Sequence, residues 1–162
     1  MNVYTPSLLE PGAGLREASA NWLYSWQADK DAIALYERHY SCHHYRDGRQ
    51  RKNFVGPGEK IVLLGNGFAA LFVWRKFMRP SPDGQIGVNC SVFRNESAQR
   101  SSALILEAME IAWRRWPGER LFTYVDPKQI RSSNPGYCFL AAGWRRCGVT
   151  KWNRLLILEA LP

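Results

Sequence analysis

Acidic side chains are scarce in this chain and histidines scarcer: 14 Asp and Glu stand against 22 Lys and Arg, with three His. The formal charge of +8 suits an anionic partner such as nucleic acid or a phosphorylated cofactor, although a basic balance also serves plain solubility. The four cysteines, Cys42, Cys90, Cys138 and Cys147, form no Cys-x-x-Cys pair. Neither a metal site nor a disulfide framework is indicated, and reduced cytosolic thiols are expected. No Gly-x-Ser-x-Gly elbow, Walker loop or dinucleotide Gly-x-Gly-x-x-Gly occurs, which argues against a Ser-His-Asp hydrolase and against the common nucleotide folds. Long apolar runs are missing too. Ile61 to Val73 is too short to span a bilayer and is broken by Gly65-Asn66-Gly67. Met1 to Gly14 has no basic region followed by an apolar core, so no signal peptide is expected. These gaps point to a cytoplasmic protein that does not engage a membrane.

What is present is aromatic and arginine-rich. Seven Trp, seven Tyr and seven Phe accompany an Arg excess over Lys of about three to one, and Arg is the side chain suited to phosphate forks and base stacking. A chain of 162 residues fits one domain, 1–162, able to bury a core without staples. Residues 1–14, rich in Pro and Gly, read as an irregular arm. Leu15 to Gln27 reads as a helix with Leu15, Ala18, Trp22 and Trp26 on one side. Asp29 can cap a helix running to Tyr40 that carries His39 to its C-terminal end. Lys60–Leu64 and Phe68–Arg75, joined by Gly65-Asn66-Gly67, read as a hairpin, because Asn-Gly accommodates positive φ. A third strand is expected over Gln85 to Phe93, then an amphipathic helix from Ser101 to Trp116 and a final hairpin over Trp144–Thr150 and Arg154–Ala160.

The organising stretch is Leu121 to Trp144. Leu121–Val125 alternates as a strand, Asp126 closes it, and Pro127 takes the chain out of the sheet. Ser132, Ser133 and Asn134 offer a capped start for a short helix that ends at Gly143. A strand end facing a helix start is where α/β proteins tend to hold ligands, and here it carries a carboxylate, a phenol and an amide.

Asn134, Tyr137, Gly143 and Trp144 after a strand make this region resemble the second half of the GNAT acyl-CoA transferase fold. With His39-Tyr40-Ser41 and Phe93-Arg94-Asn95-Glu96 added, the chain resembles more narrowly the Mom-like DNA-modification proteins of Mu-type phages, over roughly Ala34 to Glu159. The resemblance implies an α+β fold with a central mixed, mostly antiparallel sheet flanked by helices. It further implies an enzyme using acetyl-CoA or a related acyl-CoA to modify the adenine N6 amino group of double-stranded DNA, a carbamoylmethyl-type change that protects a phage genome from restriction. In that pattern Val88, Cys90 and Val92 of the third strand meet the pantetheine arm, and Asn134 serves the cofactor. Tyr137 protonates the departing thiolate. The pyrophosphate falls at Arg100, Ser101 and Ser102, a helix start with unpaired amides. Gln99 and Ser101 stand there where the family has glycines, which narrows backbone approach.

Beside that resemblance the residues leave alternatives open. His39 could be a general base of near-neutral pKa or a hydrogen-bonded helix end. Asp126 could be a base, an anchor for the acceptor's amine, or a turn cap. Tyr137 could be a packed ring, and Arg94, which follows the third strand, could hold phosphate or acceptor with Glu96 merely pairing it. His43 and His44 read as surface residues, and Cys90 as inert packing. Arg46, Arg49, Arg51 and Lys52, interleaved with Tyr45 and Phe54, form a candidate DNA contact or a solvated turn. Two other functions fit: a GNAT acetyltransferase for a protein or small amine, and a non-catalytic nucleic-acid-binding protein.

Overall fold

A computed structural model describes residues 15–162, and the arm expected over 1–14 lies outside the described residues. In chain order the elements are β1 (Trp22–Ser25), α1 (Lys30–Glu37), β2 (Glu59–Gly65), β3 (Ala70–Lys76), β4 (Val88–Asn95), α2 (Ser101–Arg115), β5 (Leu121–Val125), α3 (Tyr137–Ala141), β6 (Arg145–Val149) and β7 (Leu156–Ala160). The strands make one seven-stranded sheet in the order β1-β2-β3-β4-β5-β7-β6. Every neighbouring pair is antiparallel except β4 and β5, which run parallel. The class expected from sequence, α+β on a mixed and mostly antiparallel sheet, is the one observed.

Strand alternation divides the core between the two faces of the sheet. Leu63, Phe72 and Trp74 pack with Leu104, Ile105, Ala108, Ile111 and Ala112 of α2. Val62, Leu64, Leu71 and Val73 pack with Ala32 and Leu35 of α1. Burying each large aliphatic side chain contributes about 1.5–3 kcal/mol, so α2, the longer helix, is held mainly by its apolar face. Two indoles add direction: Trp22 and Trp74 donate their ring N–H groups to the Leu104 and Ala108 carbonyls of α2, at 2.9 and 2.8 Å. Each polar tip thereby finds a partner inside the core.

The helix expected over Leu15 to Gln27 does not form. Trp22 to Ser25 is a strand, registered Trp22↔Gly65 through Ser25↔Val62 on the free edge of β2. Trp22, Leu23 and Tyr24 favour extended backbone, and the open edge supplies the partner that a local reading does not see. At the β2–β3 turn the positive φ values fall on Gly67 and Phe68, one residue later than expected. Asn66 instead donates its side-chain amide to the Ala20 carbonyl at 2.7 Å, tying the turn to the segment before β1. Asp29 does cap α1, accepting from the Asp31 and Ala32 amides. Among the described residues no helix is long and apolar enough to cross a membrane.

Candidate active site

The parallel pair is short. β4 and β5 stay in register through Val88↔Leu121, Asn89↔Phe122 and Cys90↔Thr123, and then part. Thr123 Oγ1 donates to the Cys90 carbonyl at 2.9 Å at the point of separation. Beyond it, residues 92–95 of β4 keep their partners on β3, Ser91 falls at a register shift between Val73 and Trp74, and none of the five has a partner on β5. The gap opens into a cavity of about 570 Å³. Its walls are Cys90–Phe93 of β4, the end of β5 through Asp126, Gln129, Ile130, Ser132, Asn134 and Gly136 with the start of α3, and His39-Tyr40-Ser41 just past α1.

Each wall has its own means of support. Arg38, the residue that closes α1, places two hydrogen bonds on Glu96, at 2.8 and 2.9 Å. Arg94 also bonds Glu96 and reaches back to the Arg38 carbonyl at 2.7 Å. Hydrogen bonds from Arg38, then from Arg94, hold the Glu96 carboxyl down to about 2. This belt fastens the end of α1 to the end of β4 and so positions His39. Arg94 does not itself line the cavity.

His39 stacks on Tyr40 with ring centroids 4.5 Å apart. Its Nδ1 accepts the Ser41 amide at 3.2 Å and lies 2.7 Å from Ser41 Oγ. A ring nitrogen that accepts an N–H cannot carry its own proton, so the neutral ring is protonated at Nε2. Burial, then the Arg94 charge, lowers the His39 pKa to about 4, against a weaker opposing bond to the Phe93 carbonyl. The near-neutral titration expected from sequence is therefore replaced by a ring that stays neutral through the physiological range. The Tyr40 hydroxyl accepts the Asp126 amide at 3.3 Å, which links the two banks of the cavity.

Asp126 Oδ1 accepts the Lys128 amide at 3.0 Å, so the carboxylate does cap its turn. Oδ2 takes no hydrogen bond from the described residues. Tyr137 stands at the rim, 63% exposed. The expected cap of α3 by Ser132, Ser133 or Asn134 is absent. Gly136 occupies the cap position with φ +80°, and a Cβ there would lie 2.8 Å from a Leu158 methyl. Asn134 instead accepts from the Arg146 guanidinium at 2.6 Å, joining the cavity wall to β6.

Comparisons with protein-family models, curated proteins and solved structures find no match. Chemistry must therefore be read from the site alone. His39, Asp126, Tyr137, Asn134, Cys90 and Val92 come together around the cavity, although they derive from four separate stretches of chain. Val88 is fully buried and does not reach it, nor do Arg100, Ser101 and Ser102 at the start of α2. That helix start has no side-chain cap. The loop before it is wound around Asn95, whose amide donates to the Gln99 carbonyl at 2.7 Å and to Ser101 Oγ at 3.0 Å. The Cys90 thiol, pushed far up by burial, is no nucleophile. No cluster of His, Cys, Asp or Glu placed to hold a metal occurs among the described residues.

Tyr40 and Ser41 have no role in the sequence reading, and their bonds to Asp126 and His39 are visible only in the structure. In the basic segment, Arg46 and Lys52 are exposed, and Arg49 lies over the Tyr45 ring at 4.0 Å. Arg51 is different. Its side chain is 8% exposed, it stacks between Tyr36 and Tyr45 at 5.0 and 4.7 Å, and it bonds the His43 carbonyl. It organises the loop and is not displayed for a partner.

Proposed function

We propose that this protein is an acyl-CoA-dependent transferase of the GNAT type that transfers an acyl group to the adenine N6 amino group in double-stranded DNA, the same target group on which the Mom-like phage proteins act. The observation that carries the reading is the fork. Among the described residues, the single parallel strand pair separates, leaves a stretch of backbone edge with no strand beside it, and opens beside a carboxylate, a phenol and a neutral imidazole. The GNAT resemblance assigns that edge to the pantetheine arm. A cavity of about 570 Å³ is in the range of small-molecule sites, suited to the acyl-bearing end of such a cofactor. The phosphates would be left to Arg100 and the uncapped amides of Ser101 and Ser102.

A bound acyl thioester supplies an activated carbonyl. The exocyclic amine of adenine is a weak nucleophile, because its lone pair is delocalised into the ring, so a base must take its proton as the new bond forms. Asp126 Oδ2 is the acceptor that the hydrogen bonds leave available. His39, with Nδ1 covered by Ser41, acts as a positioning residue: it holds Tyr40, and Tyr40 holds the Asp126 backbone. Tyr137, exposed at the rim, gives a proton to the leaving sulfur. A base in duplex DNA must leave its stack to reach these groups.

Mass spectrometry of nucleosides from the DNA of cells expressing the protein tests the reading. A modified adenine is expected, abolished by Asp126→Ala in protein that still folds. Unmodified DNA, or full activity in Asp126→Ala, would contradict it. One observation favours a non-catalytic nucleic-acid-binding protein instead, namely that the start of α2 lies away from the cavity and is preceded by a loop without glycines. Isothermal titration with acetyl-CoA separates the two, since that second reading requires no binding.

A further inference from the structure

The β6–β7 hairpin ends in Lys151-Trp152-Asn153-Arg154, a tip closed by its flanks. The Thr150 amide donates to the Leu155 carbonyl at 2.8 Å, and Thr150 Oγ1 accepts the Leu155 amide at 2.9 Å. On this tip Trp152 is 85% exposed, the most exposed large hydrophobic side chain among the described residues. Lys151 Nζ lies 5.5 Å from its ring centroid.

Charge on the hairpin has one sign from Arg145 through Arg154: Arg145, Arg146, Lys151 and Arg154, with no carboxylate. Arg145 is held by Glu159 and Arg146 by Asn134. Lys151 and Arg154 form no ion pair among the described residues. The tip also adjoins the candidate site, because Leu155, the next residue, lines the cavity.

A large ring left in water between two unpaired cations matches a polyanion that offers flat faces to stack on. Nucleic acid is that partner, with phosphates for the cations and bases for the indole. We infer that this tip is a wedge for duplex DNA: Trp152 enters the base stack and fills the gap left when the target base turns into the cavity, while Lys151 and Arg154 pair with flanking phosphates. Side chains inserted between base steps kink and unstack a duplex in this way. The inference rests on the proposed action on DNA, and it names the contact that would make that action possible.

Fluorescence anisotropy with a labelled duplex, together with the emission of a duplex carrying 2-aminopurine, tests it on the intact protein. Trp152→Ala is expected to weaken binding about tenfold and to abolish the 2-aminopurine brightening that marks an unstacked base, while Trp152→Phe retains most of both. Lys151→Ala with Arg154→Ala should lower the slope of log affinity against log salt by about 2, the loss of two phosphate contacts. Acetyl-CoA affinity, measured on the same samples, should not change. Wild-type binding and brightening in Trp152→Ala would overturn the wedge and leave the proposed function standing. Failure of the wild-type protein to bind any duplex would overturn both. Binding to phosphatidylserine vesicles that Trp152→Ala abolishes, with DNA binding untouched, would assign the tip to a membrane surface and overturn the inference.

Discussion

Of the segments that set cations beside aromatic rings, residues 42–54 and 150–155 use them in opposite directions. In the first, Arg51 turns inward between Tyr36 and Tyr45, and Arg49 lies on Tyr45 with Asp47 3.6 Å away. In the second, Trp152 turns outward and its cations have no acidic partner among the described residues. The first loop is long and forms no strand, so it builds its order from its own side chains and from Tyr36 of α1. The second is short and closed by Thr150 and Leu155, which leaves its side chains available. A count of basic and aromatic residues favours the first segment, whereas their availability favours the second.

The largest effect that would sharpen this contrast is on stability. Arg51→Ala removes two ring contacts and a backbone bond from a buried guanidinium, and should cost about 2–3 kcal/mol in denaturant unfolding. DNA affinity of the protein that remains folded should change little. Unchanged stability with weakened DNA binding would erase the distinction between the loops. Lys151→Ala with Arg154→Ala should behave inversely, shifting stability by no more than about 0.5 kcal/mol.

Just ahead of the first loop, the turn at 39–41 shares its inward bonding, and pH reports on it. His39 has a pKa lowered to about 4 from an ordinary 6.5. The unfolded chain therefore binds this proton first, and the stability tied to the neutral ring is complete above pH 6.5 and is lost as pH falls toward 4. NMR titration of the imidazole should show no inflection until about pH 4, and His39→Gln should flatten the stability profile between those values. An inflection near 6.5 would mean that the turn is open to water like the hairpin tip. Glu96, held at about 2 against an ordinary 4.5, contributes stability that is complete above 4.5 and is lost as pH falls through 2. Its pairs are solvent-accessible, so Glu96→Gln should remove no more than about 1 kcal/mol of that acid-sensitive stability.

Local rules made much of the fold legible. Asp29 marks the start of α1, the apolar spacing of Leu104, Ala108, Ile111 and Ala112 marks α2, and β5 has the bounds expected of it. What local rules could not show is long-range choice. β1 is a strand because the edge of β2 accepts it, and β7 lies between β5 and β6 because Leu156–Ala160 is apolar enough to be covered on both sides. For the site, Asp126 and Tyr137 were readable from a strand end facing a helix start. The bond from Tyr40 to the Asp126 amide spans distant stretches of sequence, and Arg51 was misplaced because its charge in the sequence says nothing of the rings that enclose it.

Amide hydrogen exchange with and without acetyl-CoA addresses the fork most directly. If a thioester arm lies along the unpartnered edge of β4, amides within residues 91–95 should gain protection on addition of acetyl-CoA, with those of β2 unchanged. Protection confined to other segments, or none at saturating acetyl-CoA, would contradict a cofactor site in the gap between β4 and β5.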